Sequence, residues 1–146
     1  MFSSKSNEWE TPQDLFNKLN DEFHFTLDVA STHENAKCTR HFTIDENGLE
    51  QDWDDEIVWL NPPYGRHIDD WIEKAWREAL WNNATVVCLI PARTDTKYWH
   101  SYCMDAAEIR FIKGRLKFGD SKNAAPFPSA LIVFKPGESQ LKVASY

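Results

Sequence analysis

The chain has no apolar run near the ~20 residues that a membrane-spanning helix needs, and its opening stretch from Met1 to Glu10 lacks the apolar core of a signal peptide. A cytosolic protein is the expectation. Cysteine is scarce: Cys38, Cys88 and Cys103 are an odd number, and none forms a Cys-x-x-Cys pair. That argues against a disulfide framework and against structural zinc. His33, Cys38 and His41 lie near one another, but their spacing matches no zinc pattern and no fourth ligand is evident, so no metal is expected. Repeats and low-complexity segments are absent as well. An excess of positive charge is also missing, since the net charge is −7, which argues against simple electrostatic binding of nucleic acid.

The charge is unevenly spread, however. Residues 1–81 hold 7 Lys/Arg against 18 Asp/Glu, whereas residues 82–146 hold 9 Lys/Arg against 5 Asp/Glu. The second half contains Arg93, Lys97, Arg110, Lys113, Arg115, Lys117 and Lys122. Phosphate contacts need such a local patch rather than a basic total. An ordinary solvated surface is the other reading of the same residues.

A chain of 146 residues that is 42% hydrophobic and 14% aromatic suits one domain around one core. The expected domain is residues 1–146, with a core over about 8–136 and short flexible ends. Thr11-Pro12-Gln13-Asp14 is a helix start: Thr11 can cap, Pro12 suits the first turn and Asp14 favours the positive helix end. Leu15, Phe16 and Leu19 give that helix an apolar face. Phe23 to Val29 reads as a strand ended by Asp28, and residues 30–55 as irregular. Ile57-Val58-Trp59-Leu60 and Val86-Val87-Cys88-Leu89-Ile90 are short continuous apolar runs, the mark of buried strands. Between them Ile68, Trp71, Ile72, Ala75, Trp76, Ala79 and Leu80 recur at helical spacing. Tyr98 to Met104 reads as a short helix, and Ile109–Ile112 and Ala130–Phe134 as further strands. Alternating strands and helices with apolar central strands imply an α/β fold with a mostly parallel sheet. The last strands follow without a strong helix between them, which predicts an antiparallel C-terminal edge. Ligands in such folds sit beyond the carboxyl ends of the strands, where Asp28 and Asn61 fall.

Asn61-Pro62-Pro63-Tyr64 directly follows the first buried strand. An aromatic amine is a poor nucleophile because its lone pair is delocalised into the ring. Two acceptors must take its hydrogens and draw the nitrogen towards tetrahedral geometry before it can attack an activated methyl group. The Asn61 amide oxygen and the Pro62 carbonyl are such acceptors. Pro63 disfavours helical geometry at Pro62 and so stiffens the turn, and Tyr64 offers a flat face for a base. A target inside a duplex must be flipped out to reach such a pocket. No strong general base is required, because the amine becomes acidic only after methyl transfer. A bare tight exit from a strand is the alternative reading of the tetrapeptide.

Five stretches in order, Glu8-Trp9-Glu10-Thr11-Pro12, Phe25-Thr26-Leu27-Asp28-Val29-Ala30, Asn47-Gly48-Leu49-Glu50-Gln51-Asp52-Trp53, Val58 to Gly65, and Ala125-Pro126-Phe127-Pro128-Ser129-Ala130, resemble the phage-type DNA N6-adenine methyltransferases of the Dam-like group. The resemblance covers about residues 8–136. It implies a Rossmann-like methyltransferase fold, S-adenosylmethionine as methyl donor, DNA as substrate and protection from restriction as a role. By position, Thr11 and Pro12 resemble the segment that touches the methionine end of the cofactor. Asp28 resembles the acid that binds its ammonium group, directly or through water. The glycine-rich turn of broader methyltransferases is replaced by Asp28-Val29-Ala30-Ser31, so Ala30 and Ser31 must supply the close approach. Asp45 and Asn35 are candidates for the ribose, and Gly48, Leu49 and the run to Trp53 for the adenine end of the cofactor. Phe118 and Phe127 are candidates for a second aromatic wall around the base or for core positions. Arg93 and Arg115 are candidate phosphate contacts or exposed cations.

The chain has no room for a separate target-recognition domain, so base reading falls to loops such as Arg66-His67 or to residues 91–128. Monomer and homodimer both stay open. Methylation of another conjugated amine (cytosine N4, RNA adenine, protein glutamine) fits the same tetrapeptide. A non-catalytic DNA-binding module on the same fold is the alternative from another class.

Overall fold

A computed structural model describes residues 9–119, 121–137 and 140–146. Glu8 and the residues before it, read above for a leader, lie outside them. Helix α1 spans Gln13–Phe23. It begins after Pro12 with no side-chain cap, so Thr11 does not serve as the cap its sequence context suggests. The helix closes at His24, which takes a left-handed conformation (φ 58) and donates its N–H to the Asn20 carbonyl. The Asn20 side chain also accepts from the Phe25 N–H at 2.8 Å. This C-terminal turn consumes residues that alternate like a strand: Phe23 is the last helical residue, and strand β1 is only Leu27–Asp28. Phe25 instead stacks on Phe16 of α1 and meets Trp59 edge-on.

The remaining elements are β2 (Ile57–Leu60), α2 (Ile68–Trp81), β3 (Thr85–Pro91), α3 (Lys97–Ser101), β4 (Glu108–Phe111), β5 (Ser129–Phe134) and β6 (Lys142–Ser145), with 3₁₀ turns at Gly48–Glu50 and Cys103–Asp105. Among the described residues the sheet order is β1-β2-β3-β5-β4-β6. Strands β1, β2 and β3 pair in parallel, and β4 pairs in parallel with β6. Only β5 runs the other way, antiparallel to both β3 and β4. The sheet is therefore mostly parallel, but its reversed strand lies inside it. The edge beyond β4 is β6, which belongs to the segment expected to be a flexible end. All four β6 residues are exposed, so no apolar pattern announces it.

The core lies on the central strands and the helices that cover them. Every residue of β5 is buried, as are Val86 to Pro91 of β3. Helix α2 buries Ile68, Trp71, Ile72, Ala75 and Ala79, but Leu80, counted above on its apolar face, is 51% exposed. Two charged residues take inward positions on that helix. Lys74 and Glu78 are both buried and lie 3.5 Å apart. Glu78 accepts the Trp53 N–H at 2.7 Å, and Lys74 donates to the Gln51 carbonyl at 2.7 Å. A buried charge is tolerated only when paired and hydrogen-bonded. This pair meets that condition by tying the irregular segment before β2 to α2.

The outer side of β1 has a short cover. Residues 40–42 run beside it, with Asp28 N donating to Arg40 O and Phe42 N to Asp28 O. The irregular stretch between β1 and β2 thus blunts the edge that a two-residue strand leaves open.

Candidate active site

Parallel pairing places Asp28 beside Trp59, so the carboxyl ends of β1 and β2 lie side by side. A cavity of about 390 Å³ opens there, within the roughly 300–1,000 Å³ of small-molecule sites. Its wall includes Thr11, Asp28, Ala30, Ser31, Asn35, Asp45, Gly48, Asn61, Pro62 and Pro63. Of the residues assigned to the cofactor from the sequence, Pro12 and Leu49 are not on that wall. Pro12 precedes α1, Leu49 packs against the core, and Trp53 is fully buried beneath it.

Asn61 is held by the segment before α1. Its Nδ2 donates to the Trp9 carbonyl and to the Thr11 hydroxyl, the latter at 3.0 Å. A carbonyl can only accept, so the Trp9 bond fixes which way the amide faces. The other end of the amide, Oδ1, is buried and has no hydrogen-bond partner. Leaving a buried acceptor unpaired costs about 1–3 kcal/mol, and such an atom calls for a ligand donor. The Ser31 hydroxyl, on the same cavity wall, is also buried without a partner. The Thr11 hydroxyl, which does not cap α1, is spent here as an acceptor from Asn61 Nδ2.

Asp28 is 3% exposed. Burial raises its carboxyl above the usual carboxylate range, and hydrogen bonds from the Lys37 and Ala30 N–H groups work against that rise. Those bonds measure 2.9 and 3.2 Å. The side chain thus anchors the loop over residues 30–37 while facing the cavity, and a carboxylate accepting two N–H bonds retains lone pairs for a cation. Burial, reinforced by the Asp28 charge, pushes the nearby Cys38 thiol up to about 12. Cys38 is therefore a neutral thiol at neutral pH.

The turn after β1 contains no glycine, but Gly48 packs closely against it. A Cβ at Gly48 would lie 2.2 Å from the Val29 carbonyl and 3.2 Å from the Trp71 ring. The Gly48 carbonyl also accepts from the Trp53 indole at 2.9 Å. Asn47 (φ 55) caps this turn through its side chain. Asp45 is exposed on the rim. Asn35 spends its side-chain oxygen on the Thr32 N–H at 2.7 Å.

Tyr64 projects to the other side of the tetrapeptide. It lines a second cavity of about 430 Å³ with Trp9, Arg93 and Phe127. Its hydroxyl donates to the Leu89 carbonyl at 3.0 Å, and burial holds its phenol well above the usual range. It is a neutral, locked ring. Phe118 and Phe127, both buried, meet it edge-on with centroids at 6.2 and 5.7 Å. Trp9, which sequence reasoning placed in a motif but gave no role, lies nearly parallel to Tyr64 at 6.4 Å and 22°.

Arg93, Lys97, Lys113, Arg115, Lys117 and Lys122 are exposed. Arg110 is not available to phosphate. It is 8% exposed and binds the Glu22 carboxylate through two nitrogens at 2.8 and 2.6 Å and Glu108 at 3.0 Å. His33 and His41 sit 2.9 Å apart. Among the described residues no group of three or more His, Cys, Asp or Glu side chains is placed to hold a metal, and no helix is long and apolar enough to cross a membrane.

A mostly parallel sheet with a cavity at the carboxyl ends of β1 and β2 defines an α/β protein. The sequence profile of the DNA N-6-adenine-methyltransferase (Dam) family matches residues 2–145, and the chain belongs to that family. It is 29% identical over 136 residues to the DNA N-6-adenine-methyltransferase of Haemophilus phage HP1 (strain HP1c1), covering 88% of this chain and 78% of that protein. It is 33% identical over 110 residues to the DNA N-6-adenine-methyltransferase of Escherichia phage T1, covering 74% of this chain and 45% of that protein. A 65-residue match at 35% identity links it to the putative methyltransferase YfdM of Escherichia coli (strain K12), covering 40% of this chain and 71% of that protein.

Proposed function

We propose that this chain transfers a methyl group from S-adenosylmethionine to the exocyclic N6 amine of adenine at particular sites in DNA, on a Rossmann-like methyltransferase fold. The observation that carries the reading is the orphaned Asn61 Oδ1 at a turn flanked by two cavities. Asn61, Pro62 and Pro63 line the first cavity and Tyr64 lines the second. One turn therefore touches both the space for a donor and the space for a base.

The first cavity fits the donor's chemistry. Asp28 would hold the ammonium group, and the Ser31 hydroxyl is a polar atom awaiting a partner. S-adenosylmethionine, when bound, supplies an electrophilic methyl group. The chain's residues prepare the amine. Asn61 Oδ1 accepts one N6 hydrogen and the Pro62 carbonyl the other, which draws the nitrogen out of conjugation and frees its lone pair. Tyr64 offers a face to the flipped ring. The surplus proton leaves to water once the nitrogen has become cationic. Exposed Arg93 and Arg115 contact backbone phosphates, and sequence selectivity comes from the Arg66-His67 loop or from residues 91–128. The setting is the cytoplasm of a bacterial host.

The test is single-turnover methylation of adenine-containing duplex DNA, with the methylated base mapped by sequencing. Asn61→Ala is expected to lower the rate by on the order of 10²–10³, the usual cost of removing one group that stabilises a transition state. S-adenosylmethionine should still bind. An Asn61→Ala enzyme that works at the parent rate overturns the mechanism, and a parent that methylates no adenine overturns the function.

A further inference from the structure

We infer that the Trp9 indole is the second face of the slot that takes the target base, opposite Tyr64. The inference rests on the base-methylating reading above and assigns a specificity-determining residue to it. Two flat faces that grip a base must be near parallel and about 7 Å apart, since each contact spans roughly 3.5 Å. Phe118 and Phe127 meet Tyr64 at 89° and 76°, so they are side walls rather than an opposing face. Trp9 alone of the three meets the orientation, at 22° with centroids 6.4 Å apart. The 6.4 Å is a separation of centroids, so the two rings must part before a base can enter between them. The same two phenylalanines also stand edge-on to Trp9, at 5.5 and 5.2 Å and at 72° and 82°. Phe118 and Phe127 are themselves 6.0 Å apart, so the four rings form one aromatic cluster in which only Trp9 and Tyr64 lie near parallel.

Position along the chain supports the assignment. Trp9 lines both cavities, so it stands where a base in the second would point its amine at the first. Its carbonyl takes the Asn61 Nδ2 proton that turns Oδ1 towards the substrate. One residue therefore sets the acceptor through its backbone and grips the ring through its side chain. The indole is bicyclic and overlaps a purine more fully than a pyrimidine, so the slot favours adenine over cytosine by area as well as by hydrogen bonding.

Equilibrium binding of the full chain to two duplexes tests this, one with adenine and one with an abasic site at the mapped target position. Methylation by the parent is measured in parallel, so a failure of the functional reading shows in the parent and not in the comparison. Trp9→Ala is expected to weaken binding of the adenine duplex at least tenfold and to leave the abasic duplex within about twofold. It should also raise KM for DNA more than it lowers kcat. Trp9→Phe keeps a flat ring and the backbone carbonyl, so it should recover part of the loss on the adenine duplex. This variant also serves if Trp9→Ala does not fold. Equal losses on both duplexes, no loss on either, or tighter binding by Trp9→Ala, as when the indole merely blocks the slot, would each overturn the inference.

Discussion

At the scale of single residues, the site is a set of polar atoms whose partners come from distant parts of the chain. Asn61 and Thr11 are fifty positions apart and hydrogen-bonded. Asp28 combines two tasks, because it anchors the Ala30 and Lys37 N–H groups and faces the cavity. Asp28→Ala is therefore expected to lose both. Its affinity for S-adenosylmethionine should fall by about 1.5–3 kcal/mol, the worth of a charge-assisted hydrogen bond, and its loop should loosen. Asp28→Asn separates the tasks by keeping an acceptor and removing the charge, so it too should bind at least tenfold more weakly (about 1.4 kcal/mol). Calorimetric titration of both variants checks this, and parent-like affinity in both would remove Asp28 from the ligand's contacts.

At the scale of elements, two joints hold the site in place. The first is the Gly48 turn against Val29 and Trp71. Gly48→Ala forces backbone to move, because its Cβ would meet a carbonyl oxygen at 2.2 Å. A loss of about 1–3 kcal/mol in urea unfolding is expected, as for other overpacked sites, together with weaker cofactor binding. Unchanged stability and affinity would mean that the turn yields freely. The second joint is Arg110, which ties α1 to β4 through Glu22. The Arg110 hydrogen bond holds the Glu22 carboxyl below its ordinary value of 4.5. A carboxylate with a lowered folded pKa stabilises the fold above its unfolded value, and that stability disappears as pH falls through the lowered one. The urea midpoint of Glu22→Gln should therefore lie below the parent's at neutral pH, and the gap should close below about pH 4.5. A gap that stays constant with pH would assign the effect to packing instead.

The whole molecule carries an acidic half and a basic one, and Arg93, Lys97, Lys113, Arg115, Lys117 and Lys122 of the second are exposed. DNA binding should weaken steeply with salt despite the net charge of −7, with a slope of about 0.9 per phosphate neutralised. Charge reversal at Arg115 and Lys117 should weaken binding across DNA sequences and flatten that slope. If affinity and slope both survive, these cations are solvated surface and the contacts lie elsewhere. Arg110 shows why charge counted along a sequence misleads: it belongs to the basic run, yet its charge is spent inside the fold on Glu22 and Glu108.

Local chemistry alone was enough for much of this protein. Ile57 to Leu60 reads as a buried strand because four apolar residues in a row suit a position covered on both sides, and Asn61 to Tyr64 reads as a rigid turn because two prolines leave it little freedom. Asp28 at a strand's end marks the cavity for a similar reason. What local pattern does not encode is which distant group answers an orphaned donor or acceptor. Thr11 looks like a helix cap and is claimed by Asn61 instead. Phe23 and Phe25 alternate like a strand, but the Asn20 side chain and a left-handed His24 end a helix there. The edge strand β6 has no buried face to give it a pattern, and its pairing with β4 comes from backbone hydrogen bonds, which no side chain advertises. Trp9 stands in a recognisable stretch of the sequence, but only packing sets its ring nearly parallel to Tyr64, fifty-five residues away.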